Sequence, residues 1–149
     1  MKKMALILAA LLAFSAPVAF AASEHGGHGA HGAAAHEEVV NGVKATFTVQ
    51  TMKDAMKAMG MEMPKGMKET HHISVEFKDV KTGKQLSQGE VKIKVQAPDK
   101  TEQTKDMMGM QGHFGSDFAL AKKGKYGVMC KFKLQDGKVR SSKFWYEVK

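Results

Sequence analysis

Methionine and histidine are the residues of this chain whose number and spacing could do chemistry. The sequence of 149 residues contains 12 Met and 7 His but a single Cys. Thioether sulfur is a soft donor that selects Cu(I), and imidazole binds Cu(I) and Cu(II) alike. Thioethers are not lost to disulfide formation, although they are open to oxidation. The donor set therefore predicts that the protein binds copper and that Cu(I) is the favoured ion.

Most of these donors fall into three short segments. Six Met lie within residues 52–67, three more Met lie with a His within residues 107–113, and the adjacent pair His71-His72 forms the third group. The spacing Met-x-Met-x-Met at 59–63 brings sulfur atoms close together in an extended segment. The candidate metal ligands are Met61, Met63, Met67, His71, His72, Met107, Met110 and His113.

A core role competes with a ligand role for the methionines. Met within 52–59 recur at helical spacing, which is more typical of gap-filling core than of a ligand set. Residues 60–67 include two Gly and one Pro, which disfavour a buried helix, so a ligand role is favoured for their Met. For the Met of 107–110, which lie beside two Gly in a predicted loop, both roles stay open.

The histidines are separated by the alternation of side chains along a strand. His71 shares the inward parity of Ile73 and His72 points the other way, so at most one of them can join a given site. The alternative for either is a neutral, hydrogen-bonded His at a strand end. His113 shares the parity of Asp117 and is expected to be accessible.

The N-terminal residues predict export. Lys2 and Lys3 precede a ten-residue apolar run, Ala5 to Phe14, and Ala19-Phe20-Ala21 supplies a small-x-small cleavage pattern. Residues 1–21 are therefore predicted to be a signal peptide, cleaved after Ala21 or Ala22. The expected location of the mature protein is the bacterial periplasm.

Residues 22–38 are predicted to be a disordered tail, because this stretch of His, Gly, Ala and Glu has no large apolar residue. Short His-rich tracts can bind Cu(II), Ni(II) or Zn(II) without a preformed fold. The candidate ligands of the tail are His25, His28, His31 and His36. Cleavage after Ala22 would also place His25 third from a free amine, in a square-planar arrangement suited to Cu(II) or Ni(II).

Residues 39–149 are predicted to form one domain. About seven segments alternate apolar and polar residues, and they are separated by turn signals such as Lys-Thr-Gly-Lys at 81–84 and Asp136-Gly137. The expected fold is all-β, an immunoglobulin-like antiparallel β-sandwich. A short Met-rich helix, with Thr51 as its N-cap and an end near Met59, is predicted as an insertion between the first two strands.

Composition and motifs also disfavour several classes of protein. The net charge of +8 is dispersed among Lys residues, so nucleic acid is not an expected partner. The sequence lacks Gly-x-Ser-x-Gly, Walker A and His-Glu-x-x-His motifs, and Cys130 has the apolar parity of a buried, inert thiol. We therefore expect a binding protein and not an enzyme.

The stretch 71–149 combines the Lys-Thr-Gly-Lys turn, the Met-rich segment 107–110 and Gly-Lys-Tyr at 124–126 before a late strand. In these features it resembles the small periplasmic immunoglobulin-like domains of the YtkA-like type. The Met and His content is also similar to that of the periplasmic metal-binding proteins of ferrous-iron uptake systems, which bind copper on a similar sandwich. This likeness implies ligands from Met61 or Met63, from His71 or His72, and from Met110 with His113.

Two functions follow as expectations. The first is copper binding in periplasmic metal handling or resistance, with a metal ion as partner and a membrane transporter or efflux component as a further one. The alternative is an interaction module that binds a membrane or efflux partner through a Met-rich surface without metal.

Overall fold

The computed structural model describes residues 33–149. The predicted signal peptide, its cleavage site and the tail residues before 33 lie outside this range. The described residues form nine strands and one helix. The strands are β1 (Ala34–Val40), β2 (Val43–Thr51), β3 (His71–Asp79), β4 (Gly89–Gln96), β5 (Glu102–Asp106), β6 (Met108–Met110), β7 (His113–Phe118), β8 (Gly124–Leu134) and β9 (Val139–Val148).

The strands form two antiparallel sheets that pack as a sandwich, so the all-β prediction is confirmed. One sheet has the order β1-β2-β3-β7-β6, and the other has the order β5-β4-β8-β9. Alternate residues of each strand face inward and bury their apolar side chains between the sheets. The largest fully buried side chains are Tyr126, Phe47, Phe77, Phe118, Phe132, Ile73, Ile93 and Leu120. Removing such side chains from water supplies the main favourable free energy of folding.

The predicted Met-rich helix is present as α1 (Met52–Ala58), between β2 and β3. The hydroxyl of Thr51 accepts a hydrogen bond from the Asp54 amide at 3.1 Å, as expected of an N-cap. Met52, Ala55 and Met56 are buried, as a core role predicts. Met59, for which the same role was favoured, is instead 64 % exposed, because it follows the last helical residue.

Strand β1 corrects the predicted boundary of the tail. Residues 34–38 were expected to be disordered, yet they pair with β2 over the register from Ala34↔Thr48 to Val40↔Val43. An edge strand pairs through backbone hydrogen bonds and does not need apolar side chains. The low hydrophobicity of the segment therefore gave no indication of a strand. The ordered domain therefore begins before residue 39.

The predicted loop at 107–113 is a short hairpin instead. Met110 pairs with His113 across a two-residue turn in which Gln111 and Gly112 both have positive φ, at 41° and 88°. Two such residues make a type I′ turn, whose twist matches that of the flanking strands. Strands β1 and β6 account for the difference between the nine observed strands and the seven predicted.

Among residues 33–149, no helix is both long enough and apolar enough to cross a bilayer.

Candidate metal centre

The outward face of the β3-β7-β6 part of the first sheet carries several of the predicted donors. His72 on β3 is paired with Asp117 on β7, and Met110 on β6 is paired with His113 on β7. Cross-strand partners point to the same face of a sheet, and their Cβ atoms lie about 5 Å apart. The register therefore brings together on one surface side chains that are far apart in the sequence.

Gly115 lies at the centre of this surface and lets the His72 ring and the Met110 side chain approach each other. A Cβ atom at this position would stand 2.7 Å from Nε2 of His72 and 2.7 Å from the terminal methyl carbon of Met110. The two side-chain ends therefore meet above the backbone of Gly115, separated by no more than twice that distance. Glycine in the interior of a strand is unfavourable, and it is used where other groups approach the backbone closely. We name the arrangement of His72, Met110, Gly115 and Asp117 the His72 site.

Asp117 fixes the orientation of the His72 ring. Its Oδ1 lies 2.6 Å from Nδ1 of His72, and the His72 side chain is 20 % exposed. A carboxylate can only accept, so Nδ1 carries the proton and Nε2 of the neutral ring keeps its lone pair. Histidine ligands of metal ions are held in the same way, by a carboxylate on the nitrogen that does not bind the metal. The free nitrogen is the one that faces Met110 above Gly115.

Two further donors flank this pair. Met108 is the cross-strand partner of Gly115, and its side chain is 73 % exposed, whereas Met110 is 39 % exposed. His113 is half-buried beside Met110 on the neighbouring strand. The surface thus offers two thioethers and two imidazoles within a few strand positions of one another.

Gln85 holds the hairpin that presents Met110 and His113. Its side-chain amide donates to the carbonyl oxygen of Gly112 at 2.6 Å and to the Glu76 carboxylate at 3.1 Å. The turn of the hairpin is therefore attached to β3, the strand that carries His72. This attachment holds the turn end of the hairpin against β3.

Two of the predicted ligands lie in the interior, away from this surface. His71 is 8 % exposed, its Nδ1 is 2.7 Å from the Thr70 hydroxyl, and its ring contacts Tyr146 edge-on. Burial lowers the pKa of His71, which favours the neutral form. Met107 follows the last residue of β5 and stays beside β4, since its amide donates to the carbonyl of Val91 at 2.8 Å. Its side chain lies in the core and is 7 % exposed. Both residues are explained by packing, so we exclude them from the candidate site.

The remaining predicted Met ligands lie on the loop between α1 and β3. Met61 and Met63 are exposed, and Met67 is half-buried. The loop ends at Thr70, directly before the first residue of β3, and this end of β3 also carries His72.

Of the predicted tail ligands, only His36 lies within the described residues. It belongs to β1, where its ring stacks on Phe144 with 5.0 Å between centroids. Its Nε2 lies 3.5 Å from the carboxylate of Glu38, whose other contact is the Ser142 hydroxyl. His36 thus packs between the edges of the two sheets, whereas His25, His28 and His31 lie outside the described range.

Cys130 does not compete for a soft metal. It is buried and unpaired, and burial raises the pKa of its thiol to about 12. The thiolate is the form that binds metals, so this residue stays protonated and inert. In the described part of the chain, no group of three His, Cys, Asp or Glu side chains is placed to hold a metal ion.

Three members of this surface were not among the predicted ligands. Asp117 and Gly115 follow His113 with a spacing of two, so the same parity that made His113 accessible could have identified them. Met108 was noticed as part of a Met cluster but could not be distinguished from Met107 without knowing where β5 ends.

Comparison with known proteins gives a likeness of fold. Neither a protein-family profile nor the sequence of a curated protein matches the chain. Five solved chains match its structure. A DUF4426 family protein from Pseudomonas aeruginosa has a TM-score of 0.58 and 10 % identity, covering 76 % of this chain and 96 % of its own.

A copper-bound variant of P19 from Campylobacter jejuni is also similar. It has a TM-score of 0.56 and 11 % identity, over 77 % of this chain and 95 % of the P19 chain. At these identities the likeness establishes the sandwich fold, and the chemistry of the present chain has to be argued from its own residues.

Proposed function

We propose that this protein binds copper, as Cu(I), at the His72 site. The observation that carries the proposal is the approach of His72 Nε2 and the Met110 methyl group to one point above Gly115. An imidazole lone pair and a thioether on the surface of a rigid sheet form a soft donor pair, which suits Cu(I) better than hard or borderline cations. Met108 and His113 are the neighbouring groups from which a third ligand would come.

The distribution of exposed apolar side chains supports a ligand role. Among residues 33–149, five of the ten Met are exposed, whereas every Leu, Ile and Phe is buried or half-buried. Three Val and Trp145 are exposed as well, so Met supplies five of the nine large apolar side chains that are exposed in the described part of the chain. This enrichment favours a ligand role for the exposed Met.

The structural likeness to copper-bound P19 supports the same proposal, because that protein has a similar sandwich and binds copper. The predicted signal peptide supports a periplasmic location. We therefore infer a role in periplasmic copper handling, in which the protein holds the ion and does not catalyse a reaction. Asp117 orients His72, and His72 and Met110 would hold the ion between β3 and the β6-β7 hairpin.

A double-mutant cycle tests this proposal. The affinity for Cu(I) is measured by competition with a chromogenic Cu(I) chelator under reducing, anaerobic conditions, for the full mature chain and for His72→Asn, Met110→Leu and the double variant. Leu retains the apolar surface of Met and removes the sulfur. Each single change is expected to weaken binding by more than about tenfold, which is about 1.4 kcal/mol.

The cycle also distinguishes copper binding from a metal-free interaction surface. Two ligands of one ion form a coupled pair, so the double variant is expected to lose less than the sum of the single losses. Unchanged Cu(I) affinity in both single variants, with their folding intact by circular dichroism, would overturn the proposal and favour the interaction module.

A further inference from the structure

The exposed Met on the loop after α1 are held by a defined backbone arrangement. The amide of Gly60 donates to the Lys57 carbonyl at 3.1 Å, and the amide of Met61 donates to the Met56 carbonyl at 2.9 Å. With φ of 68° at Gly60, this is a Schellman motif, which ends the helix and turns the chain sharply. The turn leaves Met59 and Met61 on either side of Gly60.

Three thioethers follow one another in this stretch, which we name the Met loop (residues 59–63). Met59, Met61 and Met63 are 64 %, 54 % and 42 % exposed. Residues two apart lie within about 7 Å even in an extended chain, so their flexible side chains can converge on one ion. Glu62 is the charged residue among them, and its negative charge favours a cation. If these Met packed in the core, their side chains would be buried, but all three are exposed.

Polar contacts attach the residues that lie between the Met loop and β3 to strand β7, which carries Asp117. The carboxylate of Glu69 lies 3.9 Å from the Lys105 ammonium, which also donates to the backbone carbonyl of Asp117. The amide of Thr70 donates to the carbonyl of Phe118 at 3.0 Å. The chain that leaves the Met loop is thus fastened to β7 beside the residue that orients His72.

We propose that Met59, Met61 and Met63 form a second Cu(I) site, composed of thioethers alone, that loads the His72 site. Thioethers are uncharged ligands, as neutral imidazole is, and a site without an imidazole is expected to be the weaker of the two and to exchange its ion more readily. Transfer is a stepwise ligand exchange in which the Cu–S bonds to the Met loop break one after another as bonds to Met110 and His72 form, and copper stays Cu(I) throughout. The binding of Cu(I) by the Met loop is argued from the Met loop alone, whereas the transfer of the ion rests on the proposed function of the His72 site.

Methyl resonances of Met report each thioether separately and test the binding step. The full mature chain, labelled with 13C at the Met methyl groups, is titrated with Ag(I), a soft ion of the same charge as Cu(I) that needs no reductant. Single Met→Leu variants assign the signals. We expect the Met110 signal to shift with the first equivalent and those of Met59, Met61 and Met63 to shift with the second.

The buried Met52, Met56 and Met107 are internal controls whose signals should stay in place. Unmoved Met-loop signals at two equivalents, in a protein that remains folded, would overturn the second site. If instead the Met-loop signals move and that of Met110 does not, the second site stands and the proposed function of the His72 site fails. The two failures are therefore distinguishable.

Loading kinetics test the transfer step. Cu(I) is delivered from a chelator to the wild-type chain and to the triple variant Met59→Leu, Met61→Leu, Met63→Leu, with Met129→Leu on the other sheet as the matched control. Because a tethered site raises the effective concentration of the ion, we expect loading of the His72 site to slow by about tenfold in the triple variant at unchanged final affinity. Equal loading rates in all three proteins would contradict the transfer.

Discussion

Nδ1 of His72 and Oδ1 of Asp117 lie 2.6 Å apart across β3 and β7. These two residues are directly paired in the strand register, and the sheet itself therefore holds the ring in place. The other ring nitrogen faces Met110 above Gly115. A site built on three strands of a packed sandwich is more rigid than one built on loops, which reduces the cost of ordering the ligands when the metal binds.

Replacing Asp117 by Asn is expected to weaken copper binding without unfolding the protein. Asn leaves the shape of the side chain nearly unchanged, but it removes the negative charge that holds the His72 ring. Changes to groups that support a metal-binding His cost about 10- to 100-fold in affinity. A Cu(I) competition titration measures the effect, with Asp106→Asn on an exposed edge strand as the control. Equal affinity in Asp117→Asn and Asp106→Asn would show that Asp117 has no such role.

Adding a methyl group at Gly115 is expected to disrupt the site from its centre. A Cβ there would lie 2.7 Å from both donor-bearing side-chain ends, so Nε2 of His72 and the Met110 methyl group must move apart. Both are ends of side chains, so the backbone can stay in place, and we expect Gly115→Ala to shift the Tm by only a few degrees, about 1 kcal/mol. Copper affinity should fall by more than about tenfold.

Gly109→Ala is the matched control for this change. Gly109 lies on the neighbouring strand, where a Cβ would meet only the Phe114 ring at an ordinary 3.8 Å. Its copper affinity should equal that of the wild type. If Gly115→Ala binds copper as tightly as Gly109→Ala, the meeting of the two donors above Gly115 is not the binding site.

Leu substitutions at two nearby Met should separate packing from ligation. Met107 is buried in the core and Met110 is exposed at the site. We expect Met107→Leu to lower the free energy of unfolding by less than about 1.5 kcal/mol, as volume-conserving changes in cores do, with no change in copper affinity. Met110→Leu should leave the free energy of unfolding unchanged and weaken copper binding. Denaturant unfolding and copper titration of both variants check this, and an affinity loss in Met107→Leu would argue against its exclusion.

Acid stability should depend on the ion pair at the other end of the sandwich. The Arg140 guanidinium, whose side chain is only 3 % exposed, lies 2.7 Å from Asp136 and lowers the pKa of that carboxyl from 3.8 to about 2. A lowered folded-state pKa means that the unfolded chain binds the proton more readily. The stabilisation is therefore present above pH 3.8 and is lost as the pH falls toward 2.

Thermal unfolding of Asp136→Asn against pH measures this contribution. Its Tm should lie below that of the wild type at pH 7, and the gap should narrow progressively between about pH 4 and pH 2. A gap that stays constant over this range would show that the Asp136 charge is not its origin. Asp106→Asn removes an exposed pair with Lys92 and should behave like the wild type throughout.

Much of the fold was predictable because it depends on local alternation. The inward residues of β3, Ile73, Val75 and Phe77, are all buried, as their period of two predicts. The helix α1 was predictable for a similar reason, since Thr51 and the Met spacing mark its start and its buried face. Strand β1 escaped prediction because its stability comes from pairing with β2 and not from its own apolar residues.

The site was predictable only in part, since it depends on pairings between distant segments. The alternation of side chains alone predicted that His71 and His72 point to opposite faces of the sheet and that His113 is accessible. It could not reveal that β3 pairs with β7, which is what places Asp117 beside His72 and Gly115 beneath it. The alternation also could not show that the Met107 side chain is buried in the core, whereas those of Met108 and Met110 on β6 are exposed.

The most direct test of copper ligation is X-ray absorption at the copper edge, with one equivalent of Cu(I) bound. The full mature chain is used with His25, His28 and His31 replaced by Asn, so that the tail does not contribute ligands. We predict a first shell that contains both sulfur and imidazole nitrogen, and loss of a sulfur ligand in Met110→Leu. A shell of nitrogen and oxygen alone, or one unchanged by Met110→Leu, would contradict the account.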